Sequence, residues 1–381
     1  MRRVSDLRAT MVLAAIGVTA LVTLPSRAKA DFVQTNLVSD IPGLAEFTDP
    51  ALDNPWGVSE STTSPFWVSD QGTGESTLYT VQGTTFVSES ALSVTMASPT
   101  GQVQNPTTGF VIQGTSKAAS FIFANLNGTI TAWNSGLGTA PGTPAQVVAT
   151  TAGASYTGLA VDKTTQQIYA ANDKAGTIDV FNSSFQPVTL GTGAFVDPNL
   201  PTGLVPFNVQ ELNGQLYVTY APAGHTAQTT AAAGQGVVDV FTTSGTLVKR
   251  LISGGSLAAP WGITFAPASF GEFGGDLLVG NFSFDDSEIN AFDPTTGALI
   301  GSIAIAAGAG NTAGGLWDLT FGNGGSGGSP NVLYFTDGID GETKGLFGAI
   351  SAVPEPGSLL VLAPALAFLV GRRRRNAVTS H

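Results

Sequence analysis

The chain repeats itself, and that limits its fold more than any other feature. Six units each begin with an aromatic or small residue, then Gly, Asn or Asp, then an apolar residue. The starts are Trp56-Gly57-Val58, Thr108-Gly109-Phe110, Thr157-Gly158-Leu159, Phe207-Asn208-Val209, Trp261-Gly262-Ile263 and Trp317-Asp318-Leu319, at steps of 49 to 56 residues. Each start is followed by a β-prone run: FWVSD, FIFAN, IYAAND, LYVTYA, LLVGNF and LYFTDG. A third run follows in turn: TLYTV, TITAW, TIDVF, VVDVF, EINAF and GLFGAI. Turns rich in Gly, Asn, Asp and Pro separate them, and no sustained 3.6-residue periodicity occurs outside the two termini.

A fourth, more variable segment leads to each next start, so each unit reads as a four-stranded sheet of about 50 residues. One such sheet cannot bury both faces alone, and stacking six around an axis solves that. The fold class expected is all-β, a six-bladed β-propeller. The sixth unit ends near Ile350 without a fourth strand, while FVQTNLVS (32–39) precedes the first unit as an orphan. Pairing the two closes the ring and removes the open edges of a linear array. A sandwich or β-helix explains neither the long repeats nor the orphan strand.

The termini read as addresses. Arg2, Arg3 and Arg8 precede an apolar run from Met11 to Leu24, and Ala28-Lys29-Ala30 offers a small-x-small cleavage pattern. Residues 1–30 are therefore expected to be a signal peptide, with Asp31 as the mature start. At the other end Pro354-Glu355-Pro356 leads into an apolar run from Leu359 to Val370, followed by Arg372, Arg373, Arg374 and Arg375. A helix over that run spans roughly 18 Å at about 1.5 Å per residue, short of the roughly 30 Å hydrocarbon core. Arginines beside such a run stay cytoplasmic, which places the body across the membrane. A plain tail anchor is the simple reading. The three-part order resembles the PEP-CTERM sorting signal of Gram-negative bacteria. That resemblance implies an exosortase as processing partner, transient membrane insertion of residues 353–381, and a body left at the cell surface or in the extracellular matrix.

Charge narrows the partners. Residues 31–352 keep six of the 15 basic residues and 25 of the 27 acidic ones, a net charge of −19. No phosphate backbone could be neutralised, so nucleic acid is not an expected partner. An acidic surface suits solubility first, and calcium or basic partners second. With no cysteine, packing alone holds the fold.

A second resemblance rests on the body itself. Asn36-Leu37-Val38-Ser39-Asp40 through Asn54-Pro55-Trp56-Gly57, then Ala259-Pro260-Trp261-Gly262, FGEFGGDLLVGNF (270–282), Gly315-Leu316-Trp317 and Gly345-Leu346-Phe347-Gly348 carry it. Together they resemble an exosortase-associated family of bacterial propeller proteins related to NHL-repeat propellers. The resemblance spans nearly all of 32–350 and implies fold and location, without an activity. Two places depart from that family's pattern: the charge-poor loop 221–236, and Lys344 where a histidine is usual.

In a propeller the starts of the first strands share a face with the loops between second and third strands. That rim is expected to hold Asp53, Asn54, Asp70, Glu75, Asn125, Asn172, Asp173, Asn281, Asp285, Asp286, Asp337, Asp340 and Glu342. Asn208 and Asp318 replace the glycine of the other four units and are expected at the channel mouth. Oxygen ligands from several blades suit Ca²⁺, as in calcium-dependent propeller lactonases. Asn and Asp are also ordinary turn formers. His225, the sole histidine of 31–352, sits in an Ala/Thr/Gly loop on the same rim; it reads first as a solvated loop residue, second as the base of a lyase. No catalytic triad or phosphate loop is present. A binding module for exopolysaccharide, a peptide or another exported protein is the leading expectation, with no catalytic residue assigned. A Ca²⁺-dependent hydrolase or lyase is the alternative.

Overall fold

A computed structural model describes residues 31–353. The signal-peptide residues, among them Ala28 and Ala30, lie outside the described residues. So do Pro354, Glu355, Pro356 and the arginines 372–375.

The β-runs assemble into six sheets around an axis. Blade one comprises Pro55–Ser59, Phe66–Asp70, Glu75–Gln82 and Thr85–Glu89. Blade two comprises Pro99–Gln104, Phe121–Asn125, Thr129–Trp133 and Gln146–Thr150. Blade three has Tyr156–Asp162, Gln167–Asn172 and Thr177–Asn182. Blade four has Leu204–Leu212, Gln215–Pro222, Val237–Phe241 and Leu247–Ser253. Blade five has Pro260–Phe265, Leu277–Asn281, Glu288–Phe292 and Leu299–Ala304. Blade six runs Leu316–Phe321, Val332–Asp337, Leu346–Val353 and, as its outer strand, Asp31–Ser39. Neighbours within each blade are antiparallel, and the inner strands contact one another cyclically, blade six returning to blade one.

The closure expected from the orphan strand is present. Asp31 faces Val353 and Ser39 faces Leu346 across an antiparallel ladder, with a bulge between Asn36 and Val38. Leu37 and Val38 are fully buried. Asp40 fastens the end of this strand, accepting from Lys344 Nζ at 2.8 Å and from Gly345 N at 2.9 Å.

Two expectations need correction. Blade two does not start at Thr108-Gly109-Phe110; its inner strand is Pro99–Gln104, so the steps on either side are 44 and 57 residues. The displaced stretch belongs to a loop carrying the small hairpin Val111–Ile112 with Lys117–Ala118, and Phe110 plugs the blade two–three interface. Blade three also lacks a regular fourth strand. Only residues 186–188 return to its third strand, through Asn182 N to Gln186 O and Val188 N to Val180 O. Pro187 has no N–H to extend that ladder.

Packing explains the sequence pattern. The second strands of blades one, two, five and six are buried at every residue, because a blade is covered on both faces. They therefore read as unbroken runs without alternation. Between blades six and one, Phe66, Tyr79, Tyr334 and Phe347 form a ring cluster. Burial of side chains this size contributes about 1.5–3 kcal/mol each.

Every inner strand carries a register shift beside its Gly, Asn or Asp. Bulges re-aim side chains, and in four blades the aromatic residue within the shift goes to the axis. Trp56, Phe207, Trp261 and Trp317, from four blades, pack with Phe282 as one cluster. The residue after each aromatic sets how closely inner strands approach: a Cβ on Gly57 would lie 2.7 Å from the Thr100 carbonyl oxygen. Opposite Gly158, the space a Cβ would take is filled by Asn208.

Candidate functional site at the axial mouth

Above the aromatic cluster lies a cavity of about 680 Å³, lined by residues of five blades. Its floor is Trp56, which stacks on Trp317 with ring centroids 3.4 Å apart. Trp261 stands edge-on to Trp317 and donates from Nε1 to the Thr157 carbonyl at 3.0 Å, so the plug spans the channel from blade five to blade three. Leu126, Val205 and Ala223 supply apolar wall.

A chain of polar side chains forms one wall. Asn54 enters blade one at φ 45°, a left-handed geometry that asparagine tolerates better than most residues. Its Oδ1 accepts from Trp317 Nε1 at 3.1 Å. Its Nδ2 donates to Gln71 Oε1 at 3.0 Å and to Glu342 Oε1 at 3.2 Å. Glu342 ends a tight turn, Ile339–Glu342, in which Asp340, Gly341 and Glu342 all take positive φ. Its second oxygen accepts from His225 Nε2 at 2.8 Å. His225 opens the short helix His225–Thr229, between the second and third strands of blade four. One turn on, Gln228 is buried and donates to Asp173 Oδ2 at 3.3 Å.

Electrostatics follow from this pairing. The hydrogen bond to Glu342 raises the His225 pKa above its ordinary value, burial works against it, and the Glu342 and Asp173 charges add to the rise. Burial raises Asp173, partly offset by its bonds to Gln228 and Ser155 and by the charges of His225 and Lys174. The arrangement presents paired, positioned hydrogen-bonding groups to the cavity.

Several residues anticipated for the rim do meet here: Asn54, Asp173, Glu342 and His225. Asp70, Asn125, Asn172 and Asn281 instead end their second strands as buried residues bonded within or between neighbouring segments. Asp337 is buried at the equivalent place in blade six, and burial raises its pKa well above the usual range. Asn208 and Asp318 lie in the inner ring, 3% and 4% exposed, and neither lines the cavity. Asn208 Nδ2 donates to the Trp261 carbonyl at 3.0 Å. Asp318 accepts from Val58 N at 2.7 Å and Leu319 N at 2.8 Å. Both side chains join one blade to the next. Among the described residues no group of three or more His, Asp or Glu is placed to hold a metal ion. Lys344 is engaged with Asp40, outside the cavity.

Sequence reasoning did not single out Gln71, Gln228, Lys174 or the Trp56 floor. The nearest signals were Gln71 directly after FWVSD, and Gln228 three residues beyond His225, on the same side of a helical turn.

These features define a six-bladed all-β propeller with a polar axial pocket over an aromatic plug. No family model matches the chain. It is 30% identical over 349 residues to the uncharacterized protein R648 of Acanthamoeba polyphaga mimivirus, covering 86% of this chain and 82% of that protein. It is 29% identical over 346 residues to the uncharacterized protein L690 of the same virus, covering 86% and 87% respectively. The chain belongs to the family that includes R648. Among solved structures, a protein of unknown function from Bacteroides thetaiotaomicron VPI-5482 superposes with a TM-score of 0.50 at 12% identity, covering 85% of this chain and 77% of that one. That likeness concerns the fold alone.

Proposed function

We propose that the chain is an exported propeller acting as a binding module, with the axial pocket as its ligand site. One observation carries this reading: the lining polar groups are tied to one another, with both Glu342 oxygens accepting and His225 Nε2 committed. Such a wall is pre-organised for recognition. Export and sorting rest on the terminal sequences: signal peptidase acting after Ala30, an exosortase reading Pro354, Glu355 and Pro356, and final residence at the cell surface or in the matrix.

Ligand-detected NMR on residues 31–353, with a chemically diverse fragment set and with CaCl₂, tests the pocket. Binding is expected in wild type and lost in Ser155→Trp, which fills the cavity, at an unchanged melting temperature. Hits insensitive to that substitution would remove the pocket from consideration. For the address, replacing Pro354, Glu355 and Pro356 together is expected to leave the protein in the membrane of an exosortase-bearing host. Normal release of that variant would refute the sorting reading, and extracellular protein beginning at Met1 would refute cleavage after Ala30.

The His225–Glu342 pair also favours a second reading, a hydrolase or lyase in which Glu342 orients and charges the imidazole; Ca²⁺ would be a cofactor to test there. It requires turnover that disappears in both His225→Ala and Glu342→Gln.

A further inference from the structure

We propose that the axial pocket receives a neutral sugar unit, and this inference rests on the binding-module reading above. The wall both donates and accepts. Carboxylate oxygens offer about four lone-pair sites, and Glu342 uses one on each oxygen, for Asn54 and His225. Asp173 is bonded by Gln228 and Ser155, while Gln71, whose amide oxygen accepts from Asn54, also lines the cavity. Hydroxyl groups complement such a mixture because each donates once and accepts twice.

Charge argues against anionic ligands. The lining holds two acidic side chains, Glu342 and Asp173, against Lys174 and the Glu342-bonded imidazole of His225. An anion entering the pocket would meet Glu342 and Asp173, beneath a body of net charge −19.

The floor supplies the other half of the recognition. Trp56 is 4% exposed, and its Nε1 is buried with no acceptor among the described residues. Its two neighbours in the plug both have one, Trp261 at Thr157 and Trp317 at Asn54. Buried donors are nearly always satisfied; Trp56 Nε1 is closed off as the ring now lies, and a ligand oxygen completes it once the side chains at the floor shift to admit one. With Leu126, Val205 and Ala223 around it, that floor also covers the apolar C–H face a sugar ring presents. A volume of about 680 Å³ accommodates such a ligand.

Calorimetric titration of residues 31–353 tests the assignment. The probes are glucose, galactose, mannose, N-acetylglucosamine and their disaccharides, beside glucuronate, CaCl₂ and triglycine. At least one neutral sugar is expected to bind with Kd below about 1 mM. Trp56→Phe keeps a ring and removes the N–H; it is expected to weaken binding about tenfold. Gln71→Ala, checked by melting temperature alongside, is expected to weaken it similarly, and Ser155→Trp to abolish it. Neutral sugars binding no better than glucuronate, or equally well to all variants, would overturn the assignment. Capture of glucuronate, calcium or triglycine alone, blocked by Ser155→Trp, would overturn the sugar class and leave the binding-module reading standing. No binding by any probe, together with an empty fragment screen, would overturn both.

Discussion

Asp318 and Asn208 occupy the same place in their blades yet bond to their neighbours with opposite polarity. Asp318 accepts a backbone N–H from blade one, whereas Asn208 donates to a carbonyl of blade five. Their departure from glycine was visible in sequence. The direction of their side chains was not, because it depends on the bulge that turns each inner strand. Asp318→Asn places an amide N–H₂ against Val58 N or Leu319 N, leaving a buried donor unpaired. The expected cost is about 1–3 kcal/mol, read as a lower urea midpoint at constant m-value. Asn208→Asp sets a carboxylate against the Trp261 carbonyl and is expected to destabilise by a similar amount. Neutral behaviour of both would mean the ring bonds contribute nothing. The candidate site was only half legible for the same reason. Asn54, Asp173, His225 and Glu342 could be placed on one rim from strand order, but their mutual hydrogen bonds depend on loop conformation. The left-handed turn at Asp340 to Glu342 is such a case.

At the scale of elements, strand identity was read well and one start was misplaced. Pro99-Thr100-Gly101 has the same Pro-x-Gly form as Pro55-Trp56-Gly57 and Pro260-Trp261-Gly262. All three prolines follow a residue at positive φ, Asn54, Ser98 and Ala259. Even spacing favoured Thr108-Gly109-Phe110 instead, since blade two carries its extra hairpin inside the first connection. A rule of proline entry would have found it. The closing strand tests how blades depend on one another. Deleting 31–41 exposes the edge of Leu346–Val353 and removes Leu37 and Val38, each worth about 1.5–3 kcal/mol buried. Added to the lost ladder, this is a large part of the 5–15 kcal/mol typical of a whole domain. The deletion is expected to lower the single cooperative melt of residues 31–353 and not to split it. A melting temperature equal to that of the intact ring would refute the closure's energetic role.

For the whole molecule the buried acids set an uncommon dependence on pH. Burial pushes Asp318 up to about 7, against the two backbone N–H groups that bond it. Asp239 rises to about 7 through burial and the Asp197 charge, moderated by Arg250. Glu60, at the far end of the channel, rises to about 8 through burial and then the Asp318 charge. Burial also raises Asp70 and Asp337 well above the ordinary value. In each case the folded state holds its proton more tightly than the unfolded chain, whose Asp and Glu titrate near 3.8 and 4.5. Their stabilising contribution is therefore complete below those unfolded values and is lost as pH rises through about 7 to 8. His225, also raised, acts in the same direction. Asp197 opposes them: burial would raise it, but the Asn199 N–H and Arg250 hold it below its ordinary value. Its contribution is lost only as pH falls below that value. Self-repulsion of a −19 body grows with pH as well. The melting temperature of residues 31–353, scanned from pH 4 to 9 at fixed ionic strength, is thus expected to be highest near pH 4 and to fall progressively to about pH 8. Asp239→Asn is expected to flatten that fall, because an amide cannot lose the proton. A melting temperature that climbs between pH 5 and 8 would show these carboxyls to be ionised in the folded ring, paired with groups that lower their pKa.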